Sequence, residues 1–134
     1  MKDDRDIIER YPLRSLYINP TGYCNLCCRH CWLSPKVKDE LTGKEEEITP
    51  EEMIAVIEAA RPLGLCSIKF TGGEPLLRKD IGGVIEHCSK SGIEILVETN
   101  GTLINERLAD LLSMPVVSQV SVSLDSCDES THDH

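Results

Sequence analysis

Residues 67–75 read Ser67-Ile68-Lys69-Phe70-Thr71-Gly72-Gly73-Glu74-Pro75, SIKFTGGEP. Four strand-prone residues run straight into two glycines, a carboxylate and a proline. The same change from strand to polar loop recurs on either side. Leu16-Tyr17-Ile18-Asn19 is a β-prone run that stops at Pro20, and Ile93–Val97 and Gln119–Leu124 are two more strands. Helical patterns fill the gaps. Thr49 is placed to cap a helix, with Pro50 at its first position and Glu52 completing a capping box. Met53, Ile54, Val56, Ile57 and Ala60 lie mostly on one side of it, and it stops near Pro62-Leu63-Gly64. Ile81, Val84, Ile85 and Cys88 form a second helical stripe ending at Ser91-Gly92, and Asn105 caps a short helix that turns Leu108, Leu111 and Leu112 inward. The order β-α-β-α-β-α-β predicts an α/β fold, a parallel sheet with right-handed crossovers and helices packed outside.

In such sheets chemistry gathers at the carboxyl ends of the strands. The unusual sequences fall there. Cys24-Asn25-Leu26-Cys27-Cys28-Arg29-His30-Cys31 follows the first strand, Thr71–Pro75 the second, Glu98-Thr99-Asn100-Gly101 the third, and Asp125 the fourth.

Composition narrows the function classes. The chain has 134 residues, enough for one domain with a single core. Hydrophobic residues make up 40% and aromatics 4%, so that core is aliphatic. A net charge of −9 argues against a nonspecific grip on nucleic acid. No apolar run has the length of a membrane helix, and Met1–Asp6 lacks the pattern of a signal peptide, so the expected compartment is the cytoplasm with no membrane partner. Residues 36–47 are highly charged and read as a solvated loop. Seven cysteines, four of them within eight residues, point in a reducing compartment to metal binding or catalysis rather than to disulfides.

Two readings of the cysteine spacing are open. Cys24-x2-Cys27 with Cys28-x2-Cys31 would be two zinc knuckles fused without a gap. Cys24-x3-Cys28-x2-Cys31 would be three thiolates on a tight loop. On a [4Fe-4S] cube they leave one iron without a protein ligand, open to a substrate or cofactor. The bacterial ferredoxin spacing fails, because His30 stands where a third cysteine is needed. Thr71–Pro75 in turn is not a phosphate loop, since it has no GxGxxG and no GK[ST]. Gly72 and Gly73 allow close approach of a ligand, and Glu74 offers an acceptor that suits a cation.

With these residues the sequence resembles the radical S-adenosylmethionine (radical SAM) superfamily. Its CxxxCxxC motif is matched by Cys24, Cys28 and Cys31, and its GGEP segment by Gly72, Gly73, Glu74 and Pro75, about forty residues downstream. The resemblance implies a [4Fe-4S] cluster on the three cysteines and S-adenosylmethionine on the open iron, with its α-amino group at the GGEP segment. It places His30 near the cofactor's adenine. It gives Glu98, Thr99, Asn100, Ser123 and Asp125 contacts to ribose or to the methionine carboxylate, and Ser121 shares the pleat face of Ser123. Cys27 is expected to be a neighbour with no role, and Trp32 to shield the cluster. Cys66 and Cys88 are expected to be buried small hydrophobes. No general acid or base is assigned.

The resemblance covers nearly the whole chain. It implies a fold of about four βα units of a partial (β/α)6 TIM-like barrel, so residues 1–134 are expected to be a single core domain, incomplete at its C-terminus. The nearest resemblance is to members that carry a C-terminal SPASM-type auxiliary-cluster domain. The implied activity is reductive cleavage of S-adenosylmethionine to a 5′-deoxyadenosyl radical that abstracts hydrogen from a substrate, a small molecule or a peptide. An electron donor such as flavodoxin or ferredoxin is the implied partner, with a missing C-terminal half as another. The alternatives are a non-catalytic iron–sulfur or zinc module, or an inactive fragment.

Overall fold

The computed structural model describes residues 4–33 and 47–132. The charged stretch expected to be a solvated loop lies, but for Glu47, outside them. Four strands, β1 (Ser15–Ile18), β2 (Ser67–Phe70), β3 (Glu94–Thr99) and β4 (Val117–Val122), form one sheet in that spatial order. All three pairings are parallel. Helices α2 (Pro50–Ala60), α3 (Ile81–Ser91) and α4 (Glu106–Leu112) make the connections, while α1 (Asp4–Arg10) and α5 (Glu129–His132) lie at the two ends. Helix α1 has no counterpart in the sequence reading.

The start of α2 follows from its capping box. The Thr49 hydroxyl accepts the Glu52 N–H at 3.1 Å, and the Glu52 carboxylate accepts the Thr49 N–H at 2.8 Å. Asn105 caps α4 through the Leu108 N–H at 3.1 Å. The core is a single layer, aliphatic but for Phe70 and the two sulfur-bearing side chains Met53 and Cys88, between one sheet face and the helices. Ile18, Ile68, Phe70, Ile95 and Val97 meet Met53 and Ile57 of α2 and Ile81, Val84, Ile85 and Cys88 of α3.

Strand β4 begins two residues earlier than the sequence pattern places it. Ile95 pairs with Val117 but Leu96 pairs with Gln119, so Ser118 is an extra residue in a bulge. The bulge resets the alternation. Val117, Val120 and Val122 then all share the helix-facing side of Ile95, Val97 and Thr99, while Ser121 pairs with Glu98 on the other face. Cys66 is corrected: it is exposed, its thiol donating to the Gly64 carbonyl at 3.2 Å, because Leu65 and Ile68 take the inward positions. Cys88 is fully buried, and the loss of water pushes its thiol up to about 11.

The opposite sheet face is polar and open. By register it carries Tyr17, Lys69 and Glu98, with Tyr17 70% exposed. No helix among the described residues is long and apolar enough to cross a membrane.

Candidate functional site

The loop after β1 and the turn after β2 are laced together by backbone bonds. Thr71 N–H donates to the Ile18 carbonyl at 3.1 Å, Gly73 N–H to that of Thr21 at 3.1 Å, and Glu74 N–H to that of Tyr23 at 2.7 Å. The contact explains both glycines. Gly72 has φ +108°, and a Cβ there would lie 1.9 Å from the Asn19 side-chain oxygen. A Cβ on Gly73 would lie 2.0 Å from the Tyr23 carbonyl oxygen. The pair is glycine because one loop lies directly on the other, and the upper loop leads into Cys24.

Arg78 fastens the base of the same loop. One of its Nη1 hydrogens goes to the Pro20 carbonyl at 2.8 Å and another to that of Ile48 at 2.9 Å, while Nε and Nη2 hold the Asp80 carboxylate at 2.8 and 2.7 Å. The hydrogen bonds from Arg78 hold the Asp80 carboxyl below its ordinary range.

Glu74 is fully buried. Its Oε1 accepts the Leu76 N–H at 3.0 Å and the Thr99 hydroxyl at 2.8 Å, and its Oε2 accepts the Asn100 N–H at 2.8 Å. The carboxylate expected to meet a cation thus faces three donors of the chain itself and joins the turn after β2 to the end of β3. Pro75, also buried, opens a single 3₁₀ turn, Pro75–Leu77.

The ligand loop is reached from β3 by Asn100. Its Nδ2 donates to Asn25 Oδ1 at 2.9 Å and to Cys24 Sγ at 3.7 Å, and Cys24 Sγ also accepts the Leu26 N–H at 3.4 Å. Cys31 N–H closes a turn onto the Cys28 carbonyl at 3.1 Å. Burial raises the Cys28 thiol, and Cys24, Asp125 and Cys31 raise it further by charge repulsion. The other two expected ligands thus both lie near enough to act on Cys28. Among the described residues no three His, Cys, Asp or Glu side chains gather closely enough to hold one ion. Three thiolates on a four-iron cube do not need to, because each takes a different iron.

His30 and Asp125 come together, Nε2 to Oδ1 at 3.4 Å, so the end of β4 reaches the ligand loop. Ser123 donates its backbone N–H to the Thr99 carbonyl at 2.9 Å, with an exposed side chain. Glu98 points to the open face, where it pairs with Lys69 and accepts the Thr71 hydroxyl at 2.7 Å. Those hydrogen bonds, Lys69 first, hold its carboxyl below the ordinary range. The Lys69 ammonium lies 5.4 Å from the centre of the Tyr17 ring. Trp32 is not packed into the core: it is 87% exposed.

Tyr17, Asn25, Lys69, Thr71, Arg78 and Thr102 were not singled out from the sequence. Strand alternation carried the signal for two of them, since Ile68 and Phe70 facing the helices leave Lys69 and Thr71 for the open face. Asn25, Arg78 and Thr102 act through contacts distant in sequence and left no such signal.

Comparison with known proteins fits this geometry. A probable GTP 3′,8-cyclase of Methanothermobacter marburgensis is 35% identical over 128 residues, 92% of this chain and 39% of that protein. An Fe-coproporphyrin III synthase of Methanosarcina barkeri is 37% identical over 111 residues, 83% of this chain and 27% of that one. The chain thus spans about two fifths or less of these curated relatives. Streptococcus suis SuiB bound to S-adenosylmethionine superposes with a TM-score of 0.75 at 25% identity, over 90% of this chain and 27% of SuiB. The model of the radical SAM superfamily matches residues 18–134, from the last residue of β1 through every loop of the site, and the chain belongs to that superfamily, whose members work with a [4Fe-4S] cluster and S-adenosylmethionine.

Proposed function

We propose that this chain forms the cofactor-binding part of an enzyme that reductively cleaves S-adenosylmethionine. The observation that carries the reading is the lacing of the CxxxCxxC loop onto the Gly72-Gly73-Glu74-Pro75 turn and the end of β3 through Glu74 and Asn100. Cys24, Cys28 and Cys31 would hold the cluster. When bound, it supplies the electron that splits the sulfonium C–S bond into methionine and a 5′-deoxyadenosyl radical, and that radical takes a hydrogen atom from a substrate C–H bond.

The chain's residues bind and orient. The methionine portion would lie along the turn at Gly72 and Gly73, where its ammonium would meet backbone carbonyl oxygens. Glu74 fixes the turn from beneath. Glu98 stands on the open face as a carboxylate kept ionised by Lys69 and Thr71. His30 and Asp125 flank the ligand loop on the β4 side, where the adenosine would lie, with Ser123 beside them.

The substrate enters from the polar face of the sheet. A peptide, the class suggested by the sequence, is supported by the likeness to SuiB, also seen bound to a precursor peptide. A nucleotide is supported by the 35% identity to a probable GTP 3′,8-cyclase. The electron comes from a low-potential protein of the flavodoxin or ferredoxin kind.

The test is anaerobic reconstitution with iron and sulfide, followed by S-adenosylmethionine and dithionite. The expected result is 5′-deoxyadenosine and methionine in equal amounts, with an EPR signal of the reduced cluster that S-adenosylmethionine perturbs. A cluster whose signal ignores the cofactor would leave the non-catalytic module as the better reading. Added GTP or a precursor peptide raising the yield of 5′-deoxyadenosine identifies the substrate class.

A further inference from the structure

Three side chains beside the ligand loop form a closed ring of hydrogen bonds. Asn25 Nδ2 donates to Thr102 Oγ1 at 2.8 Å, Thr102 Oγ1 donates to Asn100 Oδ1 at 2.7 Å, and Asn100 Nδ2 donates to Asn25 Oδ1 at 2.9 Å. Asn100 Oδ1 also accepts the Thr102 backbone N–H at 3.0 Å. That fixed donor settles which way the Asn100 amide faces. Turned over, its oxygen would confront Asn25 Oδ1 and Cys24 Sγ, and the Thr102 N–H would lose its acceptor. An amide nitrogen carries two hydrogens. One is spent on Asn25, and the other points at Cys24 Sγ, 3.7 Å away. The backbone of Asn100 is held in turn by buried Glu74 at 2.8 Å.

We propose that Asn100 is a positioning residue for Cys24, an oriented N–H donor to the ligand sulfur that raises the reduction potential of the cluster. The inference rests on the cluster reading above. A thiolate on a reduced cluster carries more negative charge than on an oxidised one, so an N–H···S bond strengthens on reduction and favours the reduced state. Asn25 and Thr102 serve to aim the amide. Glu74 then belongs to the redox machinery at one remove, because it anchors the residue that touches the ligand.

The experiment is an anaerobic redox titration, followed by EPR, of the reconstituted protein and of Asn100→Ala, Asn100→Asp and Thr102→Val. Loss of one such bond is worth about 1 kcal/mol. At a fixed applied potential Asn100→Ala should therefore show about a fivefold lower ratio of reduced to oxidised cluster, with iron content unchanged. Asn100→Asp keeps the acceptor for Thr102 but sets a carboxylate against the sulfur, and should shift the potential further the same way. Thr102→Val frees the amide to turn and should give a smaller shift of that sign. A merely structural Asn100 would alter stability and leave the potential in place, so an unchanged potential in a loaded Asn100→Ala protein overturns the proposal. Should neither Asn100 variant take up a cluster, Thr102→Val decides, and its unchanged potential overturns the proposal equally. Failure of the unsubstituted protein to assemble a cluster would instead sink the functional reading.

Discussion

Glu74 Oε2 accepts the backbone N–H of Asn100 at 2.8 Å, so the turn after β2 and the loop after β3 share one buried carboxylate. Replacing it strands the Leu76 N–H, the Thr99 hydroxyl and the Asn100 N–H together. Buried donors without acceptors are costly. Glu74→Ala should lose on the order of 3 kcal/mol in urea denaturation. Glu74→Gln, which keeps one oxygen, should lose less. Equal stability of Glu74→Ala and the parent would refute the clamp.

The two kinds of glycine should respond in opposite directions. Gly73→Ala drives a Cβ against the Tyr23 carbonyl at 2.0 Å and must displace the backbone that leads into Cys24. Its melting temperature and its iron content should both fall. Gly83 lies inside α3 with nothing within 4 Å of an added Cβ. Gly83→Ala should gain about 1 kcal/mol through helix propensity, with the iron content unmoved.

Cysteine replacement separates the two spacings. Cys24→Ala, Cys28→Ala and Cys31→Ala should each abolish the absorbance of the reconstituted cluster, while Cys27→Ala keeps most of it. Cys27→Ala as damaging as Cys28→Ala would overturn the ligand assignment.

Acid should release the Arg78 fork. The folded-state pKa of Asp80 lies below its unfolded value because Arg78 donates to it. Its contribution is therefore complete above the unfolded pKa and disappears as pH falls through the folded one. Asp80 is 42% exposed, so the effect is small after solvent screening. Melting temperatures measured from neutral pH to about pH 3 should fall less steeply for Asp80→Asn than for the parent. Arg78→Lys, which cannot reach two carbonyls and a carboxylate at once, should cost about 2 kcal/mol at neutral pH.

The fold was largely legible because its signals are local. Thr49, Pro50 and Glu52 name a helix start, Ile81, Val84, Ile85 and Cys88 name a buried stripe, and Ser67–Phe70 begins and ends where alternation puts it. The bulge at Ser118 was not legible, since it exists only in the pairing of β4 with Ile95 and Leu96. The site divides in the same way. Spacing located the cysteine loop and the Gly72-Gly73 turn at strand ends. It could not show that Glu74 is turned inward, that Asn100 reaches Cys24, or that Lys69 pairs with Glu98, because each of these is decided by a partner far along the chain. The exposure of Cys66 was not legible for a related reason: side-chain type suggests burial, but backbone direction decides it.

The strands enter the sheet in the order in which they occur in the chain. The bonds that join Cys24, Asn25, Glu74, Asn100 and Thr102 close without any residue beyond Thr102. Proteins emerge from the ribosome amino end first, at about 5–20 residues per second. A nascent chain that has cleared the exit tunnel through Thr102 already holds both partners of each of these bonds, seconds before β4 is free to pair. The frame that holds the ligand loop can thus be set during synthesis, before the last strand joins the sheet.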